Sequence, residues 1–154
     1  QRENARLATG AALLLREVLP GMRRRGFGRV VNITSAMVKT PHAAMGLSTA
    51  ARAGLTALSR ALAREAIVDN VTINNLLPER FDTPRQEFMA QQLMATAGID
   101  RASARQRIAD SLPARRFGRP EEFGAACAFL CSANSGFMTG QNLLLDGGSY
   151  WGLI

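Results

Sequence analysis

Lysine, histidine, tyrosine and cysteine are almost missing from this chain. Among 154 residues there is one Lys (Lys39), one His (His42), one Tyr (Tyr150) and two Cys (Cys127 and Cys131). The two cysteines lie four apart, on one face of an expected helix, with no His or third Cys nearby. That ligand count excludes a structural metal site, and buried reduced thiols are the expectation. Long apolar runs are also missing. Arg, Gly or polar residues interrupt each one, so no segment reads as a membrane span. Together these absences point to a cytoplasmic protein with no membrane partner. The net charge of +7 rests almost wholly on Arg. Arg23-Arg24-Arg25 carries no interleaved aromatics and no nucleic-acid module, so nucleic acid is not an expected partner. Arg at a helix C-terminus instead complements the helix dipole.

The remainder is ordinary globular sequence, 47% apolar and 20% charged, and long enough for one domain with a core. Apolar residues at helical spacing predict a helix over 5–25, with Pro20 kinking or shortening its last turn and Gly26 stopping it. The Val/Ile-rich run 29–34 predicts a strand buried on both faces. A second helix is expected over 45–66, where Ala50, Ala53, Gly54 and Ala57 permit close helix packing. A second buried strand follows over 71–77, ended by Pro78. Two shorter helices are expected over 84–95 and 102–111. Pro120 at a first helical position, with Glu121 and Glu122 behind it, opens a helix to about 132. The last strand is 142–145. Alternating helices and strands imply a parallel sheet with helices on both faces, half of a doubly wound α/β fold. Chemistry then belongs at the C-terminal strand ends, where Ser35 and 78–83 lie.

Several segments, in order, resemble the short-chain dehydrogenase/reductase family. They are Val30-Val31-Asn32-Ile33-Thr34-Ser35, Leu47 through Leu55, Val71 through Pro78, Phe117-Gly118-Arg119-Pro120-Glu121-Glu122, and Thr139-Gly140-Gln141 through Asp146-Gly147-Gly148. The resemblance implies a Rossmann-like doubly wound sheet with a helical substrate lid at about 84–116. It implies hydride transfer between NAD or NADP and a small-molecule carbonyl or alcohol, in a homodimer or homotetramer. The helices 5–25 and 45–66 are the expected contact faces. The family's Gly-rich phosphate turn has no counterpart here, since Gly26-Phe27-Gly28 precedes a strand. The chain is therefore expected to be the C-terminal part of one Rossmann-like domain, its N-terminal cofactor-phosphate half, roughly 100 residues, lying outside 1–154.

The family's catalytic Ser is Ser35. Its Tyr position reads Ser48 and its Lys position reads Arg52. Its Asn position, by spacing to Pro20, reads Leu7. Asn74 stands where a structural Asn is usual. The resemblance makes Ser35, Ser48 and Arg52 the candidate catalytic residues, and Arg52, Pro78 and Thr83 the candidate cofactor-binding residues. An aliphatic hydroxyl is a poorer acid than a phenol, whose pKa is about 10. Three readings stay open: a working variant site, cofactor binding without catalysis, or a structural pair in which Ser48 solvates the helix start. Glu79 replaces the family's Gly after Pro78, which removes φ freedom. Thr83 also suits a helix N-cap before Pro84. Phe88, Met89, Leu93, Met94 and Ile99 either wall a pocket or bury the lid helices. His42 is a distant candidate for the missing acid. Two further functions are a non-catalytic cofactor-binding or scaffold subunit, and a lyase resembling the halohydrin dehalogenases, which use Arg in place of Lys but keep a Tyr.

Overall fold

The computed structural model describes residues 2–153, with side chains left undescribed at 2–5 and 7. The elements run α1 (Arg2–Arg24), β1 (Gly28–Ile33), α2 (Gly46–Ala66), β2 (Val71–Pro78), α3 (Pro84–Ala97), α4 (Arg101–Asp110), α5 (Pro120–Cys131) and β3 (Asn142–Leu145). The strands form a parallel sheet in the order β1-β2-β3. Parallel neighbours need long crossovers, and each one here contains helix.

β2 holds the sheet together. Val71, Ile73, Leu76 and Leu77 are fully buried. Each such side chain contributes about 1.5–3 kcal/mol over an exposed one. Leu15 and Leu19 of α1 and Leu55, Ala63 and Ala66 of α2 complete this core. Two asparagines sit in the middle of the apolar strand, and both are satisfied. Asn74 donates to the Met138 carbonyl (2.8 Å) and accepts from the Gln141 N–H (3.0 Å). Asn75 accepts from Asn32 of β1 (3.2 Å) and donates to Asn142 of β3 (2.8 Å). Because Asn32, Asn75 and Asn142 are register partners, their amides form a ladder across all three strands. Asn32 extends it to Ser59 of α2 (2.8 Å).

The helix α1 keeps Pro20 inside it, as expected, and stops after Arg24 where Gly26 takes φ +64°. Three expectations fail. β1 is not buried on both faces: Ile33 is 60% exposed. Among the described residues β1 pairs only with β2, so one of its edges is open. Cys131 is exposed and Cys127 half-buried, because helical spacing fixes a shared face but not what that face meets. Phe88 neither walls a pocket nor fills a core; it is exposed, with the Arg85 guanidinium 5.6 Å from its ring centre.

The other apolar residues of α3 and of the segment after it fill a small core of their own. Met89, Leu93, Met94 and Ile99 pack around Ala90, Ala104 and Ile108, joining α3 to α4. Charge ties this unit to the strand ends. Glu87 takes both arms of Arg101 (2.7 Å each) and a third contact from Arg105 (3.4 Å), while Arg105 also reaches Asp82 (2.8 Å). The Arg101 hydrogen bonds hold the Glu87 carboxyl below its ordinary value.

Candidate active site

The site is built where β1 and β2 end. Ser35 leaves β1 and caps a short 3-10 turn, Ala36–Val38, its hydroxyl accepting from the Met37 N–H (3.2 Å). Ser48 and Arg52 stand one turn apart at the start of α2, so their side chains share a face. The Arg52 guanidinium donates to the Ser48 hydroxyl and to the Ser48 carbonyl (3.3 Å). Pro78 ends β2, and Thr83 precedes α3 with Pro84 at its first position. Ser35, Ser48, Arg52, Pro78 and Thr83 all line one cavity of about 340 Å³.

This arrangement has a definite chemistry. Each serine oxygen already accepts a hydrogen bond from the protein. A hydroxyl keeps its own proton when it accepts, so Ser35 and Ser48 can each still donate. Arg52 holds its positive charge against the Ser48 oxygen through that hydrogen bond. Such a charge stabilises developing negative charge on that oxygen. Thr83 occupies the N-cap position of α3 but makes no side-chain cap hydrogen bond. Its hydroxyl is not spent on the helix.

The turn 78–83 solves the problem that Glu79 raises. The left-handed backbone falls one residue later, at Arg80, with φ +25°. Glu79 stays in the sheet register, its N–H donating to the Leu145 carbonyl of β3 (3.0 Å). Phe81 then bridges to Gly118 as an isolated parallel pair. A Cβ on Gly118 would fall 2.7 Å from the Phe81 ring, so only Gly permits this approach. Phe81 also meets Phe123 of α5 edge-on, with ring centres 5.4 Å apart. Glu122 locks the same corner by accepting both arms of Arg116 (2.8 Å each) and the Arg119 N–H (2.8 Å). The Arg116 hydrogen bonds lead in drawing its carboxyl down to about 2.

Among the lining residues not foreseen as site residues are the polar Thr49, Arg80, Arg85 and Gln86. Spacing would have found two of them. Thr49 lies three before Arg52, and Gln86 three after Thr83 in the first turn of a helix. His42 and Tyr150 do not line the cavity. His42 is exposed and caps the turn Ala43–Met45, its Nδ1 accepting from the Ala44 N–H (3.3 Å). Tyr150 directs its hydroxyl at Gly152, and its ring lies 4.7 Å from the Lys39 ammonium. The chain's one lysine and one tyrosine therefore meet each other outside the cavity. The Leu7 side chain falls outside the described residues. Among the described residues no group of three or more His, Cys, Asp or Glu could hold a metal, and no helix is long and apolar enough to cross a membrane.

Residues 5–150 match a family model described as enoyl-(acyl carrier protein) reductase. An acetoacetyl-CoA reductase of Allochromatium vinosum is 35% identical over 135 residues, 88% of this chain and 50% of the relative. The (2S)-[(R)-hydroxy(phenyl)methyl]succinyl-CoA dehydrogenase subunit BbsC of Thauera aromatica is 36% identical over 152 residues, 94% of this chain and 53% of its own. The crystal structure of L-sorbose reductase from Gluconobacter frateurii, complexed with NADPH and L-sorbose, superposes with a TM-score of 0.88 at 32% identity. It covers 96% of this chain and 56% of that one. The chain spans about half the length of the curated relatives it matches. With a parallel α/β sheet and a match over nearly its whole length, the chain belongs to the short-chain dehydrogenase/reductase family.

Proposed function

We propose that this chain is the substrate-side, C-terminal part of a Rossmann-like domain in an NAD(P)-dependent oxidoreductase. The reaction is hydride transfer between the nicotinamide and a small carbonyl or alcohol. The observation that carries this reading is the convergence of Ser35, Ser48, Arg52, Pro78 and Thr83 on one cavity at the strand ends. A bound nicotinamide cofactor would supply or accept the hydride. The donor set suits it: the Arg52 guanidinium for ribose hydroxyls, and the Thr83 hydroxyl with the Pro78 backbone for the carboxamide. Ser35 donates a hydrogen bond to the reacting oxygen. Ser48 presents its proton to the same oxygen, its own oxygen backed by Arg52. A positioned general acid is worth about 10² to 10⁴ in rate, and a serine here works at the low end of that range. The helices α3 and α4 form the substrate lid.

The open edge of β1 and the exposed Leu13, Leu14 and Val18 of α1 support a cofactor-phosphate half that pairs with β1. The faces of α1 and α2 are the proposed contacts of a homodimer or homotetramer.

A second reading is a cofactor-binding subunit without turnover. One observation favours it: among the described residues no His, Lys, Tyr or Cys lines the cavity, and Glu79 is the one carboxylate that does. Titrating the full-length protein with NADH and NADPH, followed by cofactor fluorescence, separates the cases. Saturable binding with turnover of a carbonyl substrate supports the oxidoreductase. Binding without turnover of any carbonyl or alcohol supports the second reading. No binding of either cofactor rejects both.

A further inference from the structure

Two side chains facing the cavity are buried without their hydrogen bonds. Gln86 is 5% exposed and its Oε1 has no partner; Thr49 is 7% exposed and its Oγ1 has none. Both line the cavity beside Ser35 and Ser48. Buried polar atoms are almost always paired, so two orphans on one cavity wall call for a partner that arrives with a ligand. A substrate hydroxyl suits both, since it can donate to an amide oxygen and can donate to or accept from a threonine.

Charge on the same wall narrows the ligand. Among the described residues, three guanidiniums, Arg52, Arg80 and Arg85, and one carboxylate, Glu79, line it. Glu79 lies 3.9 Å from Arg80, beyond hydrogen-bond reach; the Arg80 Nη1 meets only the weak acceptor Met89 Sδ (3.6 Å), and its Nε is buried with no hydrogen-bond partner. Arg80 itself carries the left-handed backbone described above and lines the cavity. Arg52 is engaged by an uncharged hydroxyl. Arg85 stacks on Phe88 at the exposed rim, where solvent weakens its pull. Excess positive charge along a cavity wall favours an anionic ligand. Glu79 offsets part of it, which suits a single negative charge.

We propose that this cavity takes a small hydroxy or oxo acid, its carboxylate held by Arg80 and its hydroxyl by Gln86 and Thr49. This deepens the oxidoreductase reading and rests on it. Arg80 and Gln86 select the substrate, while Ser35 and Ser48 address the reacting oxygen.

The probes are 3-hydroxybutanoate and its neutral methyl ester, titrated calorimetrically into the full-length protein with NADPH present. The acid should bind about tenfold tighter or more, because a charge-assisted hydrogen bond is lost in the ester. That advantage should shrink at high salt. Arg80→Gln should bring the acid down to the affinity of the ester, and Arg80→Lys should retain part of the advantage. Gln86→Leu should weaken acid and ester alike, leaving their ratio unchanged. Arg85→Gln, at an exposed position safe for folding, should trim the ratio by about twofold or less. The proposal is overturned if the ester binds as tightly as the acid, if neither binds, or if folded Arg80→Gln keeps the full ratio. The cofactor reading fails separately, through the absence of NADH and NADPH binding, and the ratio of acid to ester is measured whichever way that titration falls.

Discussion

Replacing Asn74 with Ala tests how the site's third strand is held. Asn74 is 1% exposed at the centre of β2 and clamps the segment leading into β3 through the Met138 carbonyl and the Gln141 N–H. Its neighbours reinforce the clamp: the Ile73 N–H donates to the Thr139 hydroxyl (3.2 Å), and the Gly140 N–H to the Ile73 carbonyl (2.7 Å). Alanine removes two hydrogen bonds worth about 1 kcal/mol each net. It also strands a carbonyl and an N–H, at about 1–3 kcal/mol for each group that stays dry. Gln141 is exposed, so water reaches part of the gap. The expected loss is therefore about 2–3 kcal/mol. With a urea m-value of about 2 kcal/mol per molar, the unfolding midpoint falls by about 1–1.5 M. Asn74→Asp sharpens the test. It keeps the acceptor for Gln141 but points a second oxygen at the Met138 carbonyl. It should cost at least as much at neutral pH and recover as pH falls toward about 4, where the carboxyl gains a proton to donate. A midpoint shift under about 0.3 M for Asn74→Ala, with m unchanged, would refute the clamp.

Three further outcomes follow from the site. Ser48→Tyr with Arg52→Lys should raise kcat by about 10² or more in an active enzyme, by supplying a phenol and an ammonium; steady-state kinetics with unchanged or lower kcat in a folded variant would count against the assigned positions. Gly118→Ala should destabilise by about 1–3 kcal/mol by driving a methyl into the Phe81 ring, and a thermal melt equal to wild type would mean the turn 78–83 is free to move. Glu122 contributes stability that is fully present above its ordinary value of 4.5 and is lost as pH falls toward its native value of about 2. Glu122→Gln should flatten the wild-type fall in Tm across that window, and a parallel fall in the variant would assign the acid sensitivity elsewhere.

Most of the framework was legible because local signals agree with the fold. Gly26 and Gly98 end helices in left-handed backbone, and Pro84 and Pro120 open them. β2, apolar but for Thr72, Asn74 and Asn75, reads as a buried strand and is one, because it is the central parallel strand. β1 also reads as a buried strand but is only partly buried, because β2 is its one strand neighbour among the described residues. The cavity wall was less legible. Arg80 enters it through a left-handed turn at a residue that is not Gly, which no pattern of spacing announces.

Ser48 and Arg52 were legible as positions, and the structure adds why they suit each other. A Lys ammonium is a compact point charge, and its usual partner at this spacing is a long phenol. A serine hydroxyl ends far closer to the helix. The planar guanidinium fork reaches back one turn to that hydroxyl and to the carbonyl of the same residue at once. Shortening the acid and widening the cation are thus complementary changes. Ser48→Tyr alone should crowd the guanidinium, and Arg52→Lys alone should leave the serine less well backed. The double variant should then be more active than the product of the two single effects, and a double-mutant cycle of kcat that closes additively would show the two residues to be independent.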